Sequence, residues 1–249
     1  MSKIIFCIDL HGVLVNSDLM IGNYEKVLIN LYSKYSITPI EAIKNHNLGL
    51  KQFREHFKKL KSKNLTGNEF LTFMDQGDKE WDRLMQNFVP NIQAFELESR
   101  NVEYLAGKQA DVFYPDGKEF LVYLQDKMNS NNNIDFFIVS DSHTSHITGL
   151  LEGAGLTEIP STRLLGWDKI ACLKHQSYYY NTLARLVNSN KRILIGNSKN
   201  EMVLGKKSGF NTIFISREFS ENLDFKDSCD LIFDNLESLI SNDLENIFS

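Results

Sequence analysis

Three polar side chains stand directly after apolar runs of the sequence, where they could act together on a substrate. Asp9 follows Ile4–Ile8, Ser140 follows Ile134–Val139, and Asn197 follows Ile193–Gly196. A short apolar run that ends in turn residues predicts a buried strand. Because open parallel sheets bind ligands at the carboxyl ends of their strands, we expect the three side chains to share one crevice. With Lys174 from a neighbouring loop, they would form a site for an oxyanion.

The chemistry of such a site follows from its donors and acceptors. A carboxylate can attack an anionic substrate only if the negative charge of that substrate is offset. A lysine supplies a fixed point charge, and a serine supplies a neutral donor. Mg²⁺ can bridge carboxylates and phosphate oxygens. The residue types therefore fit a site that orients an anionic substrate and offsets its charge.

Further apolar runs and helical patterns define the elements that position these residues. Apolar runs recur at 212–215 and 230–233, and helical patterns lie between the runs at 118–128, 144–152, 177–187 and 200–208. Strands that alternate with helices are typical of βαβ units. The sequence therefore predicts an α/β fold, a parallel sheet with helices on both faces.

Between the first and second strands the pattern changes to helical spacing. Tyr24, Val27, Leu28 and Leu31 recur at three and four residues. Thr66, followed by a glutamate three residues later, predicts a capped helix start. We therefore predict an all-helical domain at 18–111, inserted into an α/β core of residues 1–17 and 112–249.

The stretch Asp9-Leu10-His11-Gly12-Val13-Leu14-Val15-Asn16-Ser17 resembles the first motif of the haloacid dehalogenase (HAD) superfamily. Ser140 resembles the second motif, and Lys174, shortly before a helix, the third. The stretch Gly196-Asn197-Ser198-Lys199-Asn200-Glu201 resembles the fourth. The position of the helical insert matches family members that carry a cap domain between the first two motifs. The resemblance implies a HAD-like, Rossmann-type core with a helical cap.

The resemblance also implies a function. In the family the first aspartate attacks the substrate and forms a covalent intermediate. We therefore expect a magnesium-dependent phosphatase that acts on a small phosphorylated metabolite through an aspartyl-phosphate. The implied catalytic residues are Asp9, His11, Ser140 and Lys174, and the implied metal ligands are Asp9, His11, Asn197 and Glu201.

Two positions depart from the phosphatase pattern. The family's phosphatases carry a second aspartate where His11 stands, and a carboxylate where Asn197 stands. A histidine can still donate or accept a proton near neutral pH, but an amide oxygen is a weaker ligand for Mg²⁺. These departures leave two alternatives open: a metal-independent dehalogenase of the same superfamily, and a catalytically impaired binding or regulatory protein.

Two assignments within the site also have alternatives. Lys169 competes with Lys174 for the site lysine, and Lys174 is favoured because a helix follows it. His143 and His146 lie three residues apart and could, with His11, hold a transition metal. The competing interpretation of the two later histidines is an ordinary polar helix start.

The composition limits the remaining possibilities. The chain has 249 residues, of which 42% are hydrophobic and 24% charged, as in soluble globular proteins. A net charge of −5 provides no basic surface for nucleic acid or anionic lipid. Three widely spaced cysteines do not form a disulfide framework. Without a recognisable signal peptide or spanning run, we expect a cytoplasmic protein.

Overall fold

The computed structural model describes residues 3–89, 96, 98–109, 111–130, 133–217 and 227–241. The chain divides into two compact units. The sheet unit comprises Met1–Ser17, Val112–Asp141 and Glu158–Ser249. The helical unit comprises Asp18–Asp111 and Ser142–Thr157.

Among the described residues, six parallel strands form the core of the sheet unit, in the order β3-β2-β1-β4-β5-β6. The strands are β1 (Ile4–Asp9), β2 (Ile134–Val139), β3 (Leu164–Leu165), β4 (Lys191–Gly196), β5 (Asn211–Ile215) and β6 (Leu231–Phe233). The predicted parallel α/β sheet is confirmed, with its five predicted strands. The sixth, β3, has two residues, which is too short for a sequence pattern.

Helices pack on this sheet and fix its two faces. They are α5 (Pro115–Ser130), α7 (Trp167–Ile170), α8 (Ser177–Val187), α9 (Lys199–Lys207) and α10 (Glu237–Ser241). Ile5 and Cys7 of β1 share a core cluster with Tyr179 and Leu183 of α8. Because side chains alternate along a strand, the equally buried Phe6 and Ile8 face the opposite side. Burial on both faces explains why β1 is a continuous apolar run.

The helical unit contains α1 (Ile21–Ser33), α2 (Pro39–Lys63), α3 (Gly67–Phe88), α4 (Ser99–Lys108) and α6 (Thr144–Gly153). The predicted helical insert is confirmed. Thr66 is the residue before α3, but its side chain makes no capping bond. The capping box forms at α2 instead, where Glu41 N–H donates to Thr38 and the Glu41 carboxylate accepts from Thr38 N–H.

Helix α6 belongs to the helical unit because its glycines let it approach α4 closely. A Cβ on Gly107 of α4 would lie 2.8 Å from the carbonyl oxygen of His146, and one on Gly153 would lie 3.0 Å from the carbonyl oxygen of Gly107. The domain boundaries inferred from the sequence place this helix in the α/β core and remain a prediction. None of the described helices is long and apolar enough to cross a membrane.

Candidate functional site

The candidate site begins at the carboxyl end of β1, in the middle of the sheet. Asp9 is the last residue of β1 and pairs in register with Val139, so Ser140 follows immediately on the neighbouring strand. On the other side Ile8 pairs with Ile195, which brings Asn197 to the same edge. Chain order reverses on either side of β1, and such a switch point opens a crevice in parallel sheets. The sheet therefore gathers these strand-end residues as the sequence predicted.

A tight turn after Asp9 is shaped around Asn197. Gly12 has φ +76°, in the left-handed region that favours glycine. A Cβ at this position would overlap the amide group of Asn197. The backbone N–H groups of Leu14 and Val15 both donate to the Leu10 carbonyl at 2.9 Å and close the turn. Gly12 thus allows the Asn197 amide to lie directly against the loop that follows the candidate nucleophile.

Lys174 joins two buried carboxylates at this edge. Its Nζ lies 2.5 Å from Asp9 Oδ1 and also contacts Glu201 Oε1. The three residues are 9%, 4% and 6% exposed, respectively. Lys169 instead has a half-exposed side chain and lies 3.9 Å from Asp168. The structure therefore brings Lys174, and not Lys169, to Asp9.

Burial and neighbouring charges shift the pKa values of Asp9 and Lys174. Burial and then the neighbouring Glu201 carboxylate raise the pKa of Asp9 to about 7, against the opposing effect of Lys174. Burial alone would lower the pKa of Lys174, but the surrounding carboxylates raise it above its usual value. Lys174 therefore stays charged, while Asp9 changes its charge near neutral pH.

Two further groups hold Lys174 and Glu201 in place. The backbone N–H of Lys174 donates to Asp141 Oδ1 at 2.8 Å, which fixes the lysine's loop against the end of β2. The Tyr180 hydroxyl donates to Glu201 Oε1 at 3.5 Å. Tyr180 was not predicted from the sequence. The run Tyr178-Tyr179-Tyr180 after Lys174 was the available signal, because helical spacing turns part of such a run towards the sheet, and both Tyr179 and Tyr180 are buried.

The other predicted residues have more ordinary surroundings. Ser140 is fully buried, and its backbone N–H donates to the Leu165 carbonyl at 3.1 Å. His11 is half-buried in the turn, with Nδ1 3.4 Å from the Ser17 hydroxyl. Either ring nitrogen of His11 can carry the proton, and its role in proton transfer remains a prediction.

The donor set can be tested for Mg²⁺. Asp9 Oδ1 accepts from Leu10 N–H at 2.7 Å and contacts Lys174, so Oδ2 is the oxygen that could reach a metal. Mg²⁺ takes one or two carboxylates and completes its octahedron with water and substrate oxygens. Asp9, the exposed Asp141 and the exposed amide of Asn197 fit that mode. Glu201 fits it less well, because one oxygen holds Lys174 and the other lies buried against Gly196.

The alternative transition-metal site is not formed. Within the described ranges, no group of three or more His, Cys, Asp or Glu side chains is arranged to hold a metal ion. His143 caps α6 by accepting from Ser145 N–H at 3.0 Å. His146 stacks on Tyr24, and its Nδ1 lies 2.9 Å from the Glu103 carbonyl. The two histidines are therefore a helix cap and a buried packing residue.

No family model matches the chain, and no curated protein does.

Solved structures with the same architecture do match. The defluorinating L-2-haloacid dehalogenase Rha0230 aligns with 96% of this chain and 94% of its own, at 15% identity and a TM-score of 0.60. The HAD-hydrolase YfnB from Bacillus subtilis, a magnesium-bound structure, aligns with 99% of this chain and 100% of its own. Its sequence identity is 13% and the TM-score is 0.55. The L-2-haloacid dehalogenase from Xanthobacter autotrophicus, with chloropropionic acid covalently bound, aligns with 99% of this chain and 100% of its own. Its sequence identity is 14% and the TM-score is 0.55.

Proposed function

The chain has the HAD-like hydrolase fold, and on that premise we propose that it hydrolyses a small substrate through a covalent ester formed on Asp9. The contact of Lys174 with Asp9 and Glu201 is the observation that carries this proposal. A buried carboxylate at a strand end, held by an ammonium group and titrating near neutral pH, has the properties of an activated nucleophile.

The proposed reaction has two steps. A carboxylate oxygen of Asp9 attacks the electrophilic centre of the substrate, and the leaving group departs with the bonding electrons. Water then cleaves the Asp9 ester and releases the second product with the free carboxylate. Lys174 contacts Oδ1 of Asp9 and so orients the carboxylate for attack. His11 would protonate the leaving group and later accept a proton from water.

A phosphate monoester is the first candidate substrate. Asp9, Asp141 and Glu201 outnumber the one ammonium group of Lys174, so a phosphate dianion needs added positive charge to approach. Asp9, Asp141 and Asn197 would hold Mg²⁺, which offsets charge on the phosphate oxygens when bound. In this form the protein is a magnesium-dependent phosphatase acting on a small phosphorylated molecule.

Hydrolysis of a carbon–halogen bond is the second candidate. It is favoured by the direct contact of Lys174 with Asp9, which requires no metal, and by the neutral amide of Asn197 against Gly12. A halide is a good leaving group and needs no general acid, so histidine can replace aspartate at position 11. The L-2-haloacid dehalogenases among the structural neighbours share this fold.

One experiment separates the candidates. Purified protein is assayed with p-nitrophenyl phosphate and with 2-chloropropionate, each with Mg²⁺ or with EDTA, alongside Asp9→Asn. Release of nitrophenol that requires Mg²⁺ supports the phosphatase. Release of chloride in EDTA supports the dehalogenase, and the Asp9→Asn protein should be inactive in both cases.

Two outcomes contradict the proposal as a whole. If Asp9→Asn retains the wild-type rate, Asp9 is not the nucleophile. The two assays can be extended to panels of other phosphate esters and haloacids. If no substrate is turned over and mass spectrometry finds no covalent adduct on the Asp9 peptide, the chain is a binding or regulatory protein with this fold.

A further inference from the structure

The helical unit encloses a cavity of about 320 Å³ that the proposed hydrolysis does not use. Three of its walls are aromatic, from Tyr24 of α1, Phe53 of α2 and Trp81 of α3. Gly49 of α2 makes room for the Trp81 ring, because a Cβ there would lie 2.5 Å from a ring carbon. The volume falls at the small end of the range for ligand pockets, which are likewise concave and mostly apolar.

Several polar groups around this cavity lack a hydrogen-bond partner. His46 Nδ1, Trp81 Nε1 and Ser99 Oγ are buried and have no partner among the described residues. All three residues line the cavity, and each is more than nine-tenths buried. A buried polar group without a partner destabilises the folded state, so their joint presence favours a site completed by a ligand.

The charged groups at the cavity are acidic. Asp78 and Glu103 line it, and none of the nine described residues that line it is a lysine or an arginine. Arg100 contacts Asp78 and lies 3.6 Å from Glu103. Burial raises the pKa of Asp78 although Arg100 opposes the effect. Burial also lowers the pKa of His46, so this imidazole adds no positive charge at neutral pH.

We propose that this cavity is a binding site for a small organic cation, with a quaternary or protonated tertiary ammonium group held by Tyr24, Phe53 and Trp81 and balanced by Asp78 and Glu103. The faces of aromatic rings attract cations, and desolvation strengthens that attraction. An inorganic cation would gain less, because the mostly apolar wall offers few oxygen ligands. The unpartnered donors suit an acceptor group, such as a hydroxyl or ester oxygen, on the same ligand.

Choline and its uncharged analogue 3,3-dimethylbutan-1-ol test the proposal. The two molecules have nearly the same shape and differ in the charge of one central atom. Isothermal titration of the full chain should show choline binding at least about tenfold tighter, as expected for a desolvated cation–π contact of about 1.4 kcal/mol or more. Equal binding of the two, or binding of neither at millimolar concentration, contradicts the proposal.

Variants locate the site. Trp81→Leu should weaken choline binding at least about tenfold, whereas Trp81→Phe, which keeps an aromatic face, should bind more tightly than Trp81→Leu. Glu103→Gln should weaken choline binding and leave binding of the neutral analogue unchanged. Phe73→Leu removes an aromatic side chain of α3 that packs on His56 and does not line the cavity, and its affinity should equal that of the wild type.

Thermal unfolding of each variant controls for loss of structure. If Trp81→Leu does not fold, the comparison of Glu103→Gln with wild type decides the question. Choline binding that is the same in both proteins excludes a role for this carboxylate and overturns the proposed site.

Discussion

Two buried aspartates at opposite ends of the sheet differ in the sign of the charge around them. Asp9 lies at the carboxyl end of β1, and Asp135 lies near the amino end of β2. They are 4% and 5% exposed. Each also accepts a hydrogen bond from the backbone N–H of the next residue, at 2.7 and 2.8 Å. Burial and local geometry are therefore closely matched.

The number of cations per carboxylate is one clear difference between them. Asp135 lies 2.7 Å from Lys3 and also contacts Arg163, so two cations serve one acid. Although burial opposes it, these partners lower the pKa of Asp135. At Asp9 one lysine serves two acids, and the pKa rises to about 7.

This difference distinguishes a structural ion pair from a reactive one. A carboxylate with surplus positive charge is held ionised and has little tendency to attack a substrate. A carboxylate that shares its only cation keeps negative charge that a bound metal can still compensate. Buried carboxyl groups with a raised pKa are typical of functional sites.

The largest expected effect is on turnover. Asp9→Asn should reduce hydrolysis at least about 1,000-fold, because an amide cannot replace a carboxylate nucleophile. Asp135→Asn, the matched change at the other end of the sheet, should leave kcat within a few-fold of the wild type. Steady-state assays with the active substrate compare the two variants, and equal losses would show that Asp9 acts only through the fold.

The next largest effect is on stability. Lys174→Met leaves Asp9 and Glu201 buried without their cation, which should lower the free energy of unfolding by about 3–5 kcal/mol. Lys3→Met removes a lysine whose side chain is 45% exposed and should cost less than about 1 kcal/mol. Urea unfolding measures both. Adding Glu201→Gln to Lys174→Met should restore part of the lost free energy of unfolding. If it restores none, Glu201 is not electrostatically coupled to Lys174.

The smallest effect is a difference in pH dependence. The raised pKa of Asp9 means that the folded chain binds this proton more tightly, so its contribution to stability decreases as pH rises from about 4 to about 7. Asp9→Asn removes that decrease, and its melting temperature relative to wild type should increase between pH 5 and pH 8. The pKa of Asp135 is lowered, so its contribution is complete above the usual pKa of an aspartate and lost only in acid. The melting temperature of Asp135→Asn should therefore lie below wild type by a constant amount over the same interval.

Much of this arrangement was predictable because it depends on local order in the chain. Apolar runs that end in Asp9, Ser140 and Asn197 are typical of buried parallel strands, and such strands place their ends at one edge. The lengths of α2 and α3 were less predictable, because each helix contains polar residues whose exposed face carries no apolar signal. A threonine with a glutamate three residues later precedes both helices, and only the structure shows that the capping box closes at Thr38 and not at Thr66.

The sequence by itself determined which side chains occupy the strand ends and that a helical segment interrupts the chain after the first strand, because periodicity and turn residues act over a few positions. Only the tertiary structure decided that Lys174 would stand between Asp9 and Glu201, that Tyr180 would reach Glu201, and that aromatic rings from three helices would enclose a cavity. These contacts join residues far apart in the chain. Their charge balance depends on burial and distance, which no local pattern encodes.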